Sequence, residues 1–488
     1  MSAARLGLQR LTTGSDALDR ILGGGFPVRS VNVIAGEPGT GKTLFSLQML
    51  FALARQGKRS LYFTTLSEPS LKLIQYMQQF SFFDQNLLER WITFADLGSV
   101  MRGKGAEATL KEITERVERV EPAVVVVDSF KAIRDILGDA ASLRTFVYDL
   151  AVHTASWGAA SLLVGEYTAA DTATHAEFAI ADGIVRFANA RRELTAVREV
   201  EVSKMRGTDY VTGTHFYEIG PTGLSFFPRV RSPDRSHAEA AETDRGLERI
   251  GTGVVGLDSM LGGGLLGAGI SVIQGGTGTG KTLLGLQFLL EGARRGEAGI
   301  HFMLEETPAQ LRQFAHGLGW DLRELEAKGL LTLSYVSPVE LSTDRFLDRA
   351  RQEVEKVGAR RAVLDSLTSM ALGVPSERRF KELVYAVAKH FHRSEVTLSM
   401  NMEVADLLGT AQLSGHGISF AADNVIQLKF VEIEGRLERG ISILKARGIQ
   451  HATDVRRLTV ARGGVQVGSA FEGMRGVLTG LPTRSTPP

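Results

Sequence analysis

The chain has no cysteine in its 488 residues. Disulfides, Cys-ligated zinc and iron–sulfur clusters are thereby excluded, and a reducing, cytoplasmic setting is the expectation. It has no surplus of charge either. Lysine and arginine number 56 against 55 aspartates and glutamates, a formal net charge of +1. Bulk charge therefore gives no ground for a nucleic-acid coat or a membrane-surface binder. No apolar run reaches the roughly 18 residues of a membrane span, and the opening MSAARLGLQRLTTGSD lacks the apolar core of a signal peptide. What is present is the composition of a globular protein, 43% hydrophobic and 23% charged, in a chain long enough for two or more domains.

The chain repeats itself. LTTGSDALDRILGGGFP near the start aligns with IGTGVVGLDSMLGGGLL 239 residues on, placing Gly14 on Gly253, Leu18 on Leu257 and Asp19 on Asp258. The loops GEPGTGKT (36–43) and GGTGTGKT (275–282) follow in the same register, and Asp128 pairs with Asp365 and Lys204 with Lys445 after small length changes. A unit of about 230 residues is a whole domain, far above solenoid periods. The polar stretch SPDRSHAEAAETDRGLER carries only one large apolar residue, Leu247, and has the character of a linker. The expected organisation is a first domain over 1–231, a linker over 232–249, a second domain over 250–464 and a short tail over 465–488.

Each half alternates short Val/Ile/Leu-rich runs with longer helical patterns. The runs are SVNVIAG, SLYFTTL, AVVVVDS and ASLLVGE in the first half, then ISVIQG, GIHFMLE, RAVLDS and VTLSMNM in the second. Apolar runs of this length suit strands buried on both faces, and LRQFAHGLGWDLRELEAKG reads as helix between them. The expected fold class is α/β, a mostly parallel sheet flanked by helices in each half. The late segments DNVIQLKFVEI and ISILKARG add a β-rich C-terminal part, expected as hairpins.

Both loops fit G-x-x-x-x-G-K-[ST] between a strand and a helix, the context the motif requires. Gly36, Gly39 and Gly41, with Thr40, let the backbone curl so that its N–H groups converge on a phosphate; Gly275, Gly278, Thr279 and Gly280 repeat the arrangement. Lys42 and Lys281 are the expected β- and γ-phosphate contacts, and Thr43 and Thr282 the expected Mg²⁺ ligands, with ATP as the nucleotide. Asp128 and Asp365, each closing an apolar strand, are the expected acids behind Mg²⁺; the bland alternative, a helix cap, suits Ser129 and Ser366 better.

A general base belongs at the end of the neighbouring strand. The second half has Glu305 and Glu306 there, in HFMLEETP. Adjacent carboxylates can polarise water or a hydroxyl, one raising the pKa of the other; an exposed acidic helix start is the plainer reading. The first half has Leu66 and Ser67 at those places and Glu68 one position later, so Glu68 is the substitute candidate and the halves are expected to differ in activity. Late in each half an arginine precedes K-x-R-G: Arg198 with Lys204 and Arg206, and Arg439 with Lys445 and Arg447. Their recurrence suggests phosphate binding rather than a basic edge strand blunted against aggregation.

Tandem P-loops, LGGG before each, EETP at 305–308 and K-x-R-G late in each half resemble the KaiC family of the bacterial clock and its non-clock relatives. The resemblance spans about residues 5–227 and 246–484. It implies two RecA-like domains, a homohexamer of two stacked rings, and ATP between neighbouring subunits. Lys204, Arg206, Lys445 and Arg447 would act in trans, like arginine fingers. Nucleotide would then favour assembly. It also implies slow hydrolysis in the first ring and autokinase activity in the second, on a Ser–Thr pair. That pair falls on Ser419 and Phe420, so the serine is present and the threonine is not, and Ser419 is the expected phospho-acceptor with Glu305 as its base. The C-terminus GVLTGLPTRSTPP lacks the long KaiA-binding tail of clock members, so KaiA is not an expected partner and some other signalling protein is.

Two rivals bear stating. A RecA/RadA-type DNA-dependent ATPase would use the same loops, but no zinc-binding cysteines, added basic domain or charge surplus supports nucleic acid as a partner. An ATP-gated oligomeric scaffold with little catalysis would explain the missing first-half glutamate pair.

Overall fold

The computed structural model describes residues 8–65, 70–137, 140–168, 170–192, 195–229, 248–338, 343–374, 376–404, 420–472, 474–477 and 483–484. The chain divides into two compact units, Met1–Arg229 and Val230–Pro488.

In the first unit the Val-rich runs form a nine-stranded sheet. From one edge its order is Gly223–Phe227, Thr214–Gly220, Thr195–Met205, Gly183–Arg192, Val31–Gly36, Ala160–Glu166, Val124–Asp128, Ser60–Thr64 and Ile92–Asp96. The pairings from Gly183–Arg192 to Ile92–Asp96 are parallel, and the remaining three are antiparallel. Successive residues of one strand enter opposite cores: Val124 and Val126 join the cluster around Phe45 and Phe51, while Val125 and Val127 join the one around Phe130 and Val147. Burial on both faces is why these strands lack polar alternation, and each fully buried Val or Leu contributes about 1.5–3 kcal/mol.

The second unit repeats the order: Gly464–Ala470, Arg456–Ala461, Arg436–Ala446, Asn424–Ile433, Ile270–Gly275, Thr397–Glu403, Arg361–Asp365, Gly299–Met303 and Leu331–Tyr335. Three expectations change. The Asn424–Ile433 strand is not only half of a hairpin, since it also pairs in parallel with Ile270–Gly275. The sheet also runs past residue 464, into the stretch the sequence assigns to a tail. LRQFAHGLGWDLRELEAKG is two helices rather than one, Pro308–Gly317 and Leu322–Ala327. Gly319, at φ +88°, breaks the run, and the Asp321 carboxylate caps the second helix. Among the described residues no helix is long and apolar enough to cross a membrane.

Candidate active site

In each sheet the phosphate-loop strand is the first parallel strand in sequence and lies near the middle, where the strand order reverses. Loops at the carboxyl ends of strands around such a point form a natural crevice. In the first unit Gly36 ends that strand, and Glu166 pairs opposite it. Beyond the loop, helix Lys42–Arg55 starts from Gly41 at φ +86°; its counterpart Lys281–Arg294 starts from Gly280 at φ +108°. A side chain would strain either turn. A Cβ on Gly36 would also stand 2.2 Å from the Phe187 carbonyl oxygen, which keeps the loop's entry free of side chains.

Within the first loop Thr40 Oγ1 donates to the Glu37 carbonyl at 2.8 Å, and Lys42 Nζ donates to the same oxygen at 2.8 Å. Burial holds the Lys42 ammonium below its usual pKa, against the attraction of Glu166, Asp128 and Glu37. Thr43 Oγ1 donates to Asp128 Oδ2 at 2.7 Å, and the Tyr62 hydroxyl donates to the same oxygen at 2.6 Å. A cleft of 790 Å³ opens over these groups, with Lys42, Thr43, Asp128 and Glu166 on its polar side and Met77 and Phe80 on its apolar side. A hydroxyl beside a carboxylate at the start of the helix is the oxygen donor set that a Mg²⁺–triphosphate takes, so the residues fit the group.

The second loop repeats the threonine bond and adds one carbonyl to the lysine's acceptors. Thr279 Oγ1 donates to Gly276 O at 2.8 Å, and Lys281 Nζ donates to Gly275 O and Gly276 O, both at 2.9 Å. Burial lowers the Lys281 pKa, against Glu403, Asp365 and Glu305. What surrounds the acid differs. His301 Nε2 lies 3.8 Å from Asp365 Oδ2, where the first unit has Tyr62. Burial opposes ionisation of Asp365, but His301, Thr282 and Asn401 outweigh it and hold the carboxyl below its usual value. Glu305 Oε1 accepts from Ser366 Oγ and Ser369 Oγ, both at 2.5 Å. Glu306 is shifted the other way: burial, then the negative charge of Asp365, raise its pKa, with His301 partly compensating. His301, Asp365, Glu305, Glu306 and Thr282 line one small recess.

The ladder fixes the correspondence between the units. Thr64 pairs with Asp128, and Met303 with Asp365. Counted on along the sequence from that register, Leu66 and Ser67 are the counterparts of Glu305 and Glu306. Residues 66–69, and with them Glu68, lie outside the described residues, as does Ser419.

The cations separate into two groups. Arg439 Nε donates to Gly278 O at 3.1 Å, so it sits on its own phosphate loop. Arg198 lies close enough to Tyr217 for its charge to act on that phenol, and the Tyr217 hydroxyl donates to Thr40 O. The K-x-R-G residues lie elsewhere. Lys204 Nζ donates to Ala179 O at 3.1 Å and Arg206 pairs with Asp182 at 3.3 Å; Lys445 Nζ donates to Ala422 O at 2.7 Å and Arg447 pairs with Asp423 at 3.4 Å. Asp182 binds the backbone N–H of Val31, and Asp423 that of Ile270, the residues that begin the loop strands. These cations thus stand at the amino ends of the strands, one strand length, about 17 Å, from the loops at the carboxyl ends.

Sequence reasoning missed three features. Tyr62 and His301 occupy one register position, and only the repeat pairs them. Ser369 supports Glu305, and its counterpart is Ala132. Glu166 and Glu403 close matching strands beside the loops, a signal readable as a carboxylate ending an apolar run.

A duplicated, mostly parallel sheet with a phosphate loop at each switch point, backed by an Asp and a Thr, defines a tandem RecA-like P-loop ATPase. The KaiC-type ATPase family model matches residues 11–231 and 250–472, and the chain belongs to that family. It is similar to the circadian clock oscillator protein KaiC of Picosynechococcus sp., 29% identical over 98% of this chain and 93% of the relative. It is similar too to circadian clock oscillator protein KaiC 1 of Synechocystis sp., at 29% with the same coverage. Circadian clock protein KaiC3 of the same organism is 28% identical over 98% of this chain and 95% of its own length.

Proposed function

We propose that this KaiC-family ATPase is a serine autokinase that works as a nucleotide-assembled ring, a homohexamer, in signalling. The observation that carries the reading is the separation of each K-x-R-G set from its own phosphate loop. Cations one strand length from the nucleotide they are to neutralise cannot serve it within the same unit. Contributed by a neighbouring copy, Lys204 and Arg206, or Lys445 and Arg447, complete a site whose P-loop, Thr and Asp come from the first protomer. ATP then binds only the assembled state fully and stabilises it by mass action.

Mg²⁺ would be held by Thr43 with Asp128, and by Thr282 with Asp365, and would neutralise developing phosphoryl charge. In the second site Glu305 is the base for a serine hydroxyl. Two serine hydroxyls fix its Oε1, which orients the carboxylate and leaves Oε2 as acceptor. As the acceptor oxygen attacks the γ-phosphorus, its proton passes to Glu305, and the bond to the β,γ-bridging oxygen breaks with its electron pair leaving on ADP. Ser419 is the proposed acceptor. The relatives' names tie those proteins to circadian clocks; for this chain the role proposed is phosphorylation-dependent signalling through a protein partner.

The test is intact-mass spectrometry with peptide mapping after incubation with Mg·ATP, on wild type and Glu305→Gln. One phosphate on Ser419 in wild type, absent from the variant, is expected. A nucleotide-bound chain that gains no phosphate leaves an ATPase without kinase activity.

A further inference from the structure

We propose that Glu166 activates the attacking water in the first site, a role that rests on reading the chain as an ATPase. In sequence register Leu66 takes the place of Glu305 and Ala132 that of Ser369, so the first half carries neither that glutamate nor one of its hydroxyl supports at the matching positions. Glu166 supplies a carboxylate from another direction. Its strand lies between the loop strand and the Asp128 strand, and it pairs with Gly36, the first residue of the loop. It lines the same cleft as Lys42, Thr43 and Asp128. Its negative charge is also the strongest attraction on the Lys42 ammonium, so the carboxylate lies near the lysine expected to meet the β- and γ-phosphates.

The tip that carries it is pinned. The Tyr167 N–H donates to Gly36 O at 3.2 Å. The Tyr167 ring is 2% exposed and lies edge-on to Phe178, with centroids 4.9 Å apart. A catalytic group on a rigid strand end loses little by ordering in the transition state.

The second unit makes the contrast. Glu403 has the matching position opposite Gly275, but its Oε1 accepts from Thr277 Oγ1 of the loop. The first loop has Pro38 at that place, which offers no hydroxyl. Among the described residues no side chain donates a hydrogen bond to Glu166. Its carboxylate thus remains available to a water. In the step proposed, the water oxygen bonds to the γ-phosphorus while its proton passes to Glu166. The bond from γ-phosphorus to the β,γ-bridging oxygen breaks with its electron pair on ADP, and Glu166 later returns the proton to solvent.

The experiment uses the full chain with the second loop silenced by Lys281→Ala, and reads phosphate release together with binding of a fluorescent ATP analogue. Adding Glu166→Gln is expected to lower kcat about 100-fold or more, the lower end of a general base's contribution. Nucleotide affinity and KM should stay within about threefold, and Glu166→Asp should retain part of the rate. Phosphate release within about threefold of the Lys281→Ala parent overturns the proposal. So does an equal loss of nucleotide affinity, which would make Glu166 a binding residue. So does a Lys281→Ala parent that binds nucleotide and releases no phosphate although wild type does. Failure of the ATPase reading shows separately, as wild type that releases no phosphate at all.

Discussion

Asp128 and Asp365 hold the same register in two copies of one sheet, yet different chemistry stands behind each. Tyr62 donates a hydroxyl to Asp128, while His301 brings an imidazole near Asp365. Glu305 rests on two serine hydroxyls in the second unit; in the first, the Thr65 hydroxyl, at the register position of Leu304, bridges to the backbone of Ser129, accepting from its N–H at 3.0 Å and donating to its carbonyl at 3.1 Å. Both loops keep the lysine, the threonine after it, and the bond from the Thr40 or Thr279 hydroxyl to the carbonyl three residues before it. Duplication preserved phosphate binding and let the proton-handling groups diverge. Binding and catalysis are thus separable in this molecule, and the predictions follow that division.

The largest effect belongs to the loop lysines, because each is a cation, Lys42 buried and Lys281 half-buried, placed where phosphate charge is expected to develop. Losing one such group costs roughly 10²- to 10³-fold. Lys281→Ala should abolish autophosphorylation while nucleotide-dependent assembly persists; Lys42→Ala should weaken assembly at any ATP concentration. Sedimentation with and without ATP, beside mass spectrometry, reads both. The reverse pattern would give assembly to the second loop and phosphorylation to the first.

Next in size is an acid lability written into the second unit. His390 is pushed down to about 4 by burial, then by Arg351, with Glu355 opposing. The folded state keeps the ring neutral while the unfolded chain takes up a proton near 6.5. Folding therefore binds fewer protons than unfolding, and stability is lost as pH falls from 6.5 toward 4, by about 2 kcal/mol at pH 5. The first unit's matching histidine, His153, stacks on Trp157 instead, with ring centroids 5.7 Å apart. Thermal unfolding of wild type and His390→Gln at pH 7 and pH 5 should show a smaller acid loss in the variant. An equal loss in both would place the lability elsewhere.

Much of this was legible in the sequence, for identifiable reasons. The phosphate loops are local, since their glycines, lysine and threonine act within eight residues, and the Val-rich runs carry burial on both faces in their composition. The parts that were not legible depend on register. Nothing in YFTTL or HFMLE says that Tyr62 and His301 point at an aspartate more than sixty residues on; the ladder Tyr62↔Val126 and His301↔Val363 brings them there. Arg361 is another case. It opens an apolar strand and reads as a surface residue, but it is fully buried, donating to Gly251 O and Phe288 O and pairing with Glu297 at 2.6 Å. Its counterpart in the first unit is Val124, so a charge and a methyl pair solve the same packing position by different means.

Tyr62→Phe tests whether the tyrosine tunes the first site's acid. Thr43 would still donate to Asp128 at 2.7 Å, so the loop geometry survives. Contacts of this supporting kind typically change metal affinity 10- to 100-fold. The expected result is a change of about tenfold in the Mg²⁺ concentration needed for nucleotide binding in the Lys281→Ala chain, and none in the Lys42→Ala chain. An unchanged Mg²⁺ titration in both would make Tyr62 a packing residue.

The smallest effect asks where the two units remain alike. Asp182 and Asp423 each tie a K-x-R-G arginine at the strand start, Arg206 at 3.3 Å and Arg447 at 3.4 Å, with the arginines 60% and 65% exposed. Exposed pairs of this kind contribute about 0–1 kcal/mol. Asp182→Asn and Asp423→Asn keep an oxygen for the Val31 and Ile270 N–H groups, bonds of 3.0 and 2.9 Å, so the strand starts stay anchored. Each should move the thermal midpoint by no more than a few degrees. Under the trans reading, each also frees its arginine by the same amount, so the ATP concentration for assembly should shift by about two- to threefold, equally in both variants. A tenfold effect in one variant alone would mean that the cation sets have diverged as far as the bases have, and that only the phosphate loops still do the same work in both units.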